Sequence, residues 1–262
     1  MGAGAFLREG TAIMKRTVAL LAFALVACSP ADELPSATAP EIINPTWFIC
    51  DAIDAPLLYL AARDGEYVRI TEYEKPSGAI IERMQFTLGE AEGAAGSVHQ
   101  PLLRDGVEVG AIRQINPGML ENPAAAYTPP IASVRLNGVD ATCRWLPRTR
   151  AFAFTGRRSV VVHEDADGDL IYTTYDFAAA ATAAPIELSE NARTTAFSLE
   201  VRGGEETLSP EGARYAFANA GFRYLLRIAP DGAGALEVYR DGEANPVQTE
   251  ALIASQFGDA AT

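Results

Sequence analysis

The sequence predicts a mainly β protein: antiparallel sheets forming small-barrel or sandwich modules, with few short helices. Three observations predict it. Apolar and polar residues alternate with period two from Thr46 onward. The alternating runs are rich in β-branched and aromatic residues and are separated by Gly, Pro, Asn and Asp. Sustained helical periodicity is scarce.

Taken in order, strands are expected at Tyr67 to Tyr73, Ile80 to Leu88 and Val107 to Ile115. A hairpin follows: Ile131 to Leu136, then Asn137-Gly138, then Val139 to Leu146. Asn-Gly suits a type I′ turn because both central residues need positive φ. A second hairpin joins Arg158–Glu164 to Asp169–Phe177 across Asp165-Ala166-Asp167-Gly168. Strands at Ala196 to Arg202 and Arg214 to Asn219 come next. A third hairpin runs from Phe222–Ala229 through residues 230–234 to Ala235–Arg240. Short helices are expected at Leu57 to Ala62 and Glu250 to Phe257. The aromatics Tyr172, Tyr175, Phe177, Tyr215, Phe217, Phe222, Tyr224 and Tyr239 recur at strand spacing, as core and cross-strand packing requires.

The Ala-rich stretch 178–185 (AAAATAAP) interrupts the pattern. It reads as a link, with a short buried helix as the alternative. It divides the body into a larger module, residues 46–177, and a smaller one, residues 186–258.

The first residues read as an address. Lys15 and Arg16 precede Val18 to Ala27, an unbroken apolar run of ten residues. A basic start, a short apolar run and small residues before a cut site make a secretory signal. Ten helical residues rise about 15 Å, too little for roughly 30 Å of hydrocarbon. Met14 opens a signal of ordinary length and is the expected start of translation. Residues 1–27 are therefore set aside as signal peptide.

Leu25-Val26-Ala27-Cys28 resembles the lipobox of bacterial lipoproteins. That resemblance implies cleavage before Cys28, diacylglycerol on its thiol and acylation (palmitate-type chains) of the new amino terminus. Several acyl chains, at about 0.8 kcal/mol per buried CH₂, hold a protein on a membrane. Ser29, rather than Asp, after the Cys implies the outer membrane, facing the periplasm. Residues 28–45 carry Pro30, Pro35, Pro40 and Pro45 and read as a tether after the lipid. The seventeen residues from Ser29 to Pro45 reach at most about 55 Å.

Formal charge is −13 over 262 residues. Residues 1–27 hold Arg8, Lys15 and Arg16 against Glu9, so removing that net +2 leaves −15. Such a surface repels nucleic acid, and no nucleic-acid partner is expected. Cys50 and Cys143 remain once Cys28 is lipidated. Outside the cytoplasm they most simply form a disulfide.

No cofactor and no metal are expected. Glu164, Asp165, Asp167 and Asp169 cluster four carboxylates, but the sixth loop position counted from Asp165 is Leu170, where a calcium loop needs Gly. A solvated turn is the simpler reading. His163 lacks the second His of a zinc-hydrolase helix, and His99 is remote in sequence. No Gly-x-Ser-x-Gly elbow, Cys-x-x-Cys or P-loop is present. A triad assembled in space stays open as an alternative. Arg144, Arg148, Arg150, Arg157 and Arg158 form a candidate anion patch for phosphate or carboxylate, or else an exposed face of internal ion pairs.

Glu211-Gly212-Ala213-Arg214-Tyr215, followed by a strand and hairpin, resembles part of the membrane-bound C-type lysozyme inhibitor family. Those proteins are small periplasmic β-barrels whose inhibitory loop reads Ser-Gly-x-x-Tyr. Gly212 and Tyr215 match, while Glu211 stands where the family has Ser. The resemblance covers about 60 residues, and the family's Cys pair is missing there. The expected function is that of a non-enzymatic cell-envelope lipoprotein binding a glycan or protein partner. An envelope hydrolase and a lysozyme inhibitor are the alternatives.

Overall fold

The computed structural model describes residues 46–75, 77–120, 126–177 and 197–258. The expected signal peptide 1–27, lipidated Cys28, tether 28–45, link 178–185 and residues 186–196 lie outside the described residues.

The fold class is as expected: three antiparallel sheets carry nearly all of the regular structure, and none is a closed barrel. The first sheet comprises β1 (Thr46–Asp51), β2 (Leu57–Asp64), β3 (Tyr67–Glu74), β4 (Ile80–Leu88), β5 (Glu92–Ala94), β6 (Ser97–Arg104), β7 (Val107–Ile115), β8 (Ile131–Leu136) and β9 (Val139–Thr142). They follow sequence order, except that β5 pairs only with β6. The middle sheet contains β10 (Thr149–Phe154), β11 (Arg158–Glu164), β12 (Leu170–Asp176), β13 (Leu199–Arg202) and β19 (Ala254–Phe257), in the order β13-β12-β11-β10-β19. The third sheet is a meander of β14 (Glu205–Ser209), β15 (Gly212–Asn219), β16 (Phe222–Ile228), β17 (Gly234–Arg240) and β18 (Gln248–Ala251).

The first sheet curls on itself. Its interior is filled by Phe48, Tyr59, Val68, Ile70, Phe86, Leu102, Ile112 and Val134. The opposite face of β1–β3 presents Ile49, Leu58, Leu60 and Tyr73 to Phe152, Phe154, Val161, Tyr175 and Phe177 of the middle sheet and its end. The other face of the middle sheet, with Val160, Val162 and Tyr172, packs on Tyr215, Phe217, Leu226 and Leu236 of the third. Each such side chain contributes roughly 1.5–3 kcal/mol when fully buried. The middle sheet is covered on both faces, which is why β11 reads as the unbroken run Val160-Val161-Val162.

The two edges of the first sheet meet at an isolated bridge between Ala52 and Cys143. Ile53 N donates to Thr142 O at 2.9 Å and Arg144 N donates to Asp51 O at 2.8 Å. The Cys50–Cys143 disulfide fastens this seam. The pairing does not continue, so the sheet stays open.

Several expectations are corrected. Leu57 to Ala62 is not helical but belongs to β2, buried on both faces between β1 and β3. A doubly buried strand is apolar throughout and loses its period-two signature. Glu250 to Phe257 is two short strands. Leu252 N bonds Gly234 O and Ile253 N bonds Phe154 O, so the chain steps there from the third sheet to the middle one. The strand expected to run to Leu146 stops at Thr142, where the chain turns to β1. One short 3-10 helix, Pro117–Met119, is the helical element among the described residues. Strands from both sides of the 178–185 stretch pair within the middle sheet, so that boundary does not separate two cores.

Candidate functional site

The space between the middle and third sheets is sealed at one end and open at the other. At the sealed end Leu170 and Tyr172 of β12 meet Leu226 and Ile228 of β16 and Leu236 of β17. Two residues further along each strand the same faces carry Thr174 and Asp176, Phe222 and Tyr224, and Val238. Apolar filling gives way to polar groups and aromatic rings. A cleft of about 330 Å³ results, with Val247 and Gln248 completing its wall. That lies at the low end of the range for small-molecule sites, roughly 300–1,000 Å³.

Tyr172 is the ring at the back of the cleft, tilted against Tyr224 at 5.6 Å between centroids. Burial pushes its phenol pKa far up, so it stays neutral. Arg158 enters from the first residue of β11. Its guanidinium lies 3.0 Å from Asp176 Oδ1 and 3.2 Å from Glu250 Oε1. Glu250 also accepts from Thr155 Oγ1 at 2.6 Å and from Gln248 Nε2. Ser198 N donates to Thr174 O at 2.7 Å, and Asp176 N donates to Ser198 Oγ at 2.8 Å, which holds the β12 rim. Two buried polar atoms on this wall, Arg158 Nε and Thr174 Oγ1, have no partner among the described residues. Buried polar groups are usually hydrogen-bonded, so this wall keeps a donor and a hydroxyl that the neighbouring side chains leave over.

The five arginines expected to form an anion patch are dispersed, and that expectation is corrected. Arg144 is buried, with side-chain exposure of 1%. Its Nε donates to Asp51 Oδ2 at 2.9 Å, and its guanidinium stacks on Tyr175 at 3.5 Å. Lys75 Nζ donates to Asp51 Oδ1 at 2.7 Å and to Ala52 O at 2.6 Å. Burial works against the Asp51 carboxylate, but the charges and hydrogen bonds of Lys75 and Arg144 outweigh it and hold its pKa below the ordinary value. Arg148 donates to Asp165 O at 2.6 Å. Arg150, the extra residue of a bulge in β10, donates through Nε to Glu164 at 2.7 Å and lies over Tyr127. Arg158 belongs to the cleft, and Arg157, 73% exposed, stands 3.9 Å from Glu250. The patch was legible as charges but not as partners, which come from strands far along the chain.

Among the described residues neither histidine is hydrogen-bonded to a serine, threonine or cysteine side chain. His163 is largely buried in β11. Burial is the main cause that lowers its pKa from 6.5 to about 4, with Arg202 acting in the same direction and Glu200, Asp165 and Glu164 opposing. His99 lies in β6 of another sheet, 3.5 Å from Glu108. The acidic run builds a turn: Asp165 Oδ1 accepts from Asp167 N and Asp169 N, both at 3.0 Å. Among the described residues no three His, Cys, Asp or Glu side chains are grouped to hold a metal ion. No helix of the described residues is long and apolar enough to cross a membrane.

The inhibitor-like segment is divided by the fold. Glu211 is exposed at the β14–β15 turn. Gly212 has φ of 119°, and a Cβ there would lie 2.0 Å from Ile228 O. Tyr215 is fully buried, its hydroxyl 3.4 Å from Arg150 O. Of the residues carrying the resemblance, Tyr215 is a core residue and Gly212 answers a backbone requirement. Glu211 and Gly212 border a groove of about 520 Å³ at the β14–β15 end of the third sheet, lined largely by Ala and Gly with Arg214 and Arg227.

No family model and no curated protein matches the chain. Among solved structures, the chain is similar to the uncharacterized protein lmo1340 from Listeria monocytogenes EGD-e, at 9% identity, covering 79% of this chain and 66% of that one, with a TM-score of 0.19. A likeness at that level carries no argument about fold or function.

Proposed function

We propose that this chain is a non-enzymatic lipoprotein of the bacterial cell envelope that binds a glycan or protein partner there. The cleft between the middle and third sheets carries the binding half of this reading. It combines aromatic walls with a few convergent polar groups, as small-molecule and glycan sites do. The address rests on the resemblance of Leu25-Val26-Ala27-Cys28 to a lipobox, with an outer-membrane position facing the periplasm. A Pro-rich tether gives the body reach from such an anchor.

Intact mass of the membrane-extracted protein tests the address. A triacylated chain beginning at Cys28 is expected, and Cys28→Ala releases the protein from the membrane fraction. An unlipidated chain retaining residues 1–27 sinks the localisation. Retention of the purified body on isolated envelope material tests the binding.

A further inference from the structure

We infer that the ligand of this cleft is an uncharged saccharide, one or two rings in size, in place of the phosphate or carboxylate that an arginine-rich segment suggests. The inference rests on the binding reading above and names its ligand class.

Three features select that class. Phe222 and Tyr224, both half-buried, present rings at the opening, where the apolar face of a pyranose can stack, and the buried Tyr172 backs Tyr224 from behind. The cleft wall also carries Thr174 and Arg158, whose buried Oγ1 and Nε–H are a hydroxyl and a donor without partners among the described residues. A sugar hydroxyl both donates and accepts, so it satisfies either group; an aliphatic ligand leaves both unsatisfied. The third feature is charge. The terminal nitrogens of Arg158 are already engaged by Asp176 and Glu250, and Arg157 stands beside Glu250. Two arginines against two carboxylates sum to zero. An anion entering here meets Asp176 as well as Arg158 and gains little, whereas a neutral polyol suffers no such repulsion. The short reach of the cleft, about 330 Å³, limits the ligand to one or two rings.

The test uses the full-length mature chain and two probes of equal size: N,N′-diacetylchitobiose, which is neutral, and a disaccharide containing glucuronic acid. Binding is followed by calorimetry and by NMR of the tyrosine ring resonances. The neutral probe is expected to bind saturably and move the Tyr172 and Tyr224 signals. Its dissociation constant is expected to change less than twofold between 20 and 300 mM salt. Thr174→Val, which removes one hydroxyl at nearly constant volume, weakens it about tenfold. Tyr224→Ala weakens it by at least as much, with thermal melting checking that each variant is folded. Preference for the acidic probe, with affinity falling as salt rises, overturns the neutral-ligand inference and leaves the binding function standing. Binding of neither sugar by a protein still retained on envelope material does the same. Loss of both sugar binding and envelope retention overturns the proposed function itself.

Discussion

Asp51 is the residue whose removal the structure makes most costly. Its carboxylate lies between Lys75 and Arg144, and all three side chains are sealed where the ends of β1, β3 and β9 meet the middle sheet. Asp51→Ala leaves two cations facing one another in a site closed to water. Removing one partner of a buried ion pair costs roughly 3–5 kcal/mol. With a urea dependence of about 2.5 kcal/mol per molar, a loss of about 4 kcal/mol lowers the unfolding midpoint by about 1.5 M. That is a large part of the total stability of a domain, about 5–15 kcal/mol. Lys75→Met is expected to cost less, because Asp51 and Arg144 remain paired and the methionine fills similar volume. The assay is equilibrium urea unfolding followed by tryptophan fluorescence, with the double variant closing a thermodynamic cycle. A midpoint for Asp51→Ala within 0.4 M of the parent (about 1 kcal/mol on the same slope), or a coupling energy near zero, would refute the reasoning.

Other outcomes follow from the same structure. His163 is held neutral, its pKa drawn down from 6.5 to about 4 mainly by burial. Below pH 6.5 the unfolded chain takes up a proton that the folded chain refuses, so stability falls between about pH 6.5 and 4, by at most about 3 kcal/mol. Urea midpoints across that range measure the fall, and His163→Gln flattens it. Asp51 acts at lower pH: its contribution is present above the ordinary carboxylate range and disappears as pH falls through its depressed pKa. Reducing Cys50–Cys143, separated by 93 positions, removes about 4.6 kcal/mol in the chain-entropy model. Thermal melts with and without reductant test this, and an unchanged melting temperature contradicts it. Gly212→Ala forces a Cβ onto Ile228 O at positive φ and is expected to cost at least about 2 kcal/mol of stability, read as a lower melting temperature.

The elements most legible in the sequence carry local signals. The Asn137-Gly138 turn has both residues at positive φ, as a type I′ turn demands. The hairpins of β11–β12 and β16–β17 fall within a residue or two of expectation. β10 is hidden in the sequence because Arg148 and Arg150 at its start read as surface, and the bulge at Arg150 breaks its alternation. β2 was hidden because both of its faces are covered. Asp51 and Arg144 each follow a half-cystine, so a Cys50–Cys143 bond itself implies that opposite charges meet there.

The cleft had no comparable signal. Arg158, Thr174, Asp176 and Tyr224 are scattered over 67 positions, and each alone has an ordinary place in a strand. The sequence by itself determined the β class, the main turns and the cysteine pair, because turn chemistry and side-chain alternation are written in neighbouring residues. Only the tertiary structure decided that sheets pack in three layers, that Arg144 is buried while Arg157 is exposed, and that the second interlayer space opens at the β12 rim. Those outcomes depend on which strand faces which across the layers, and strand order in space is set by long-range packing that local spacing does not encode.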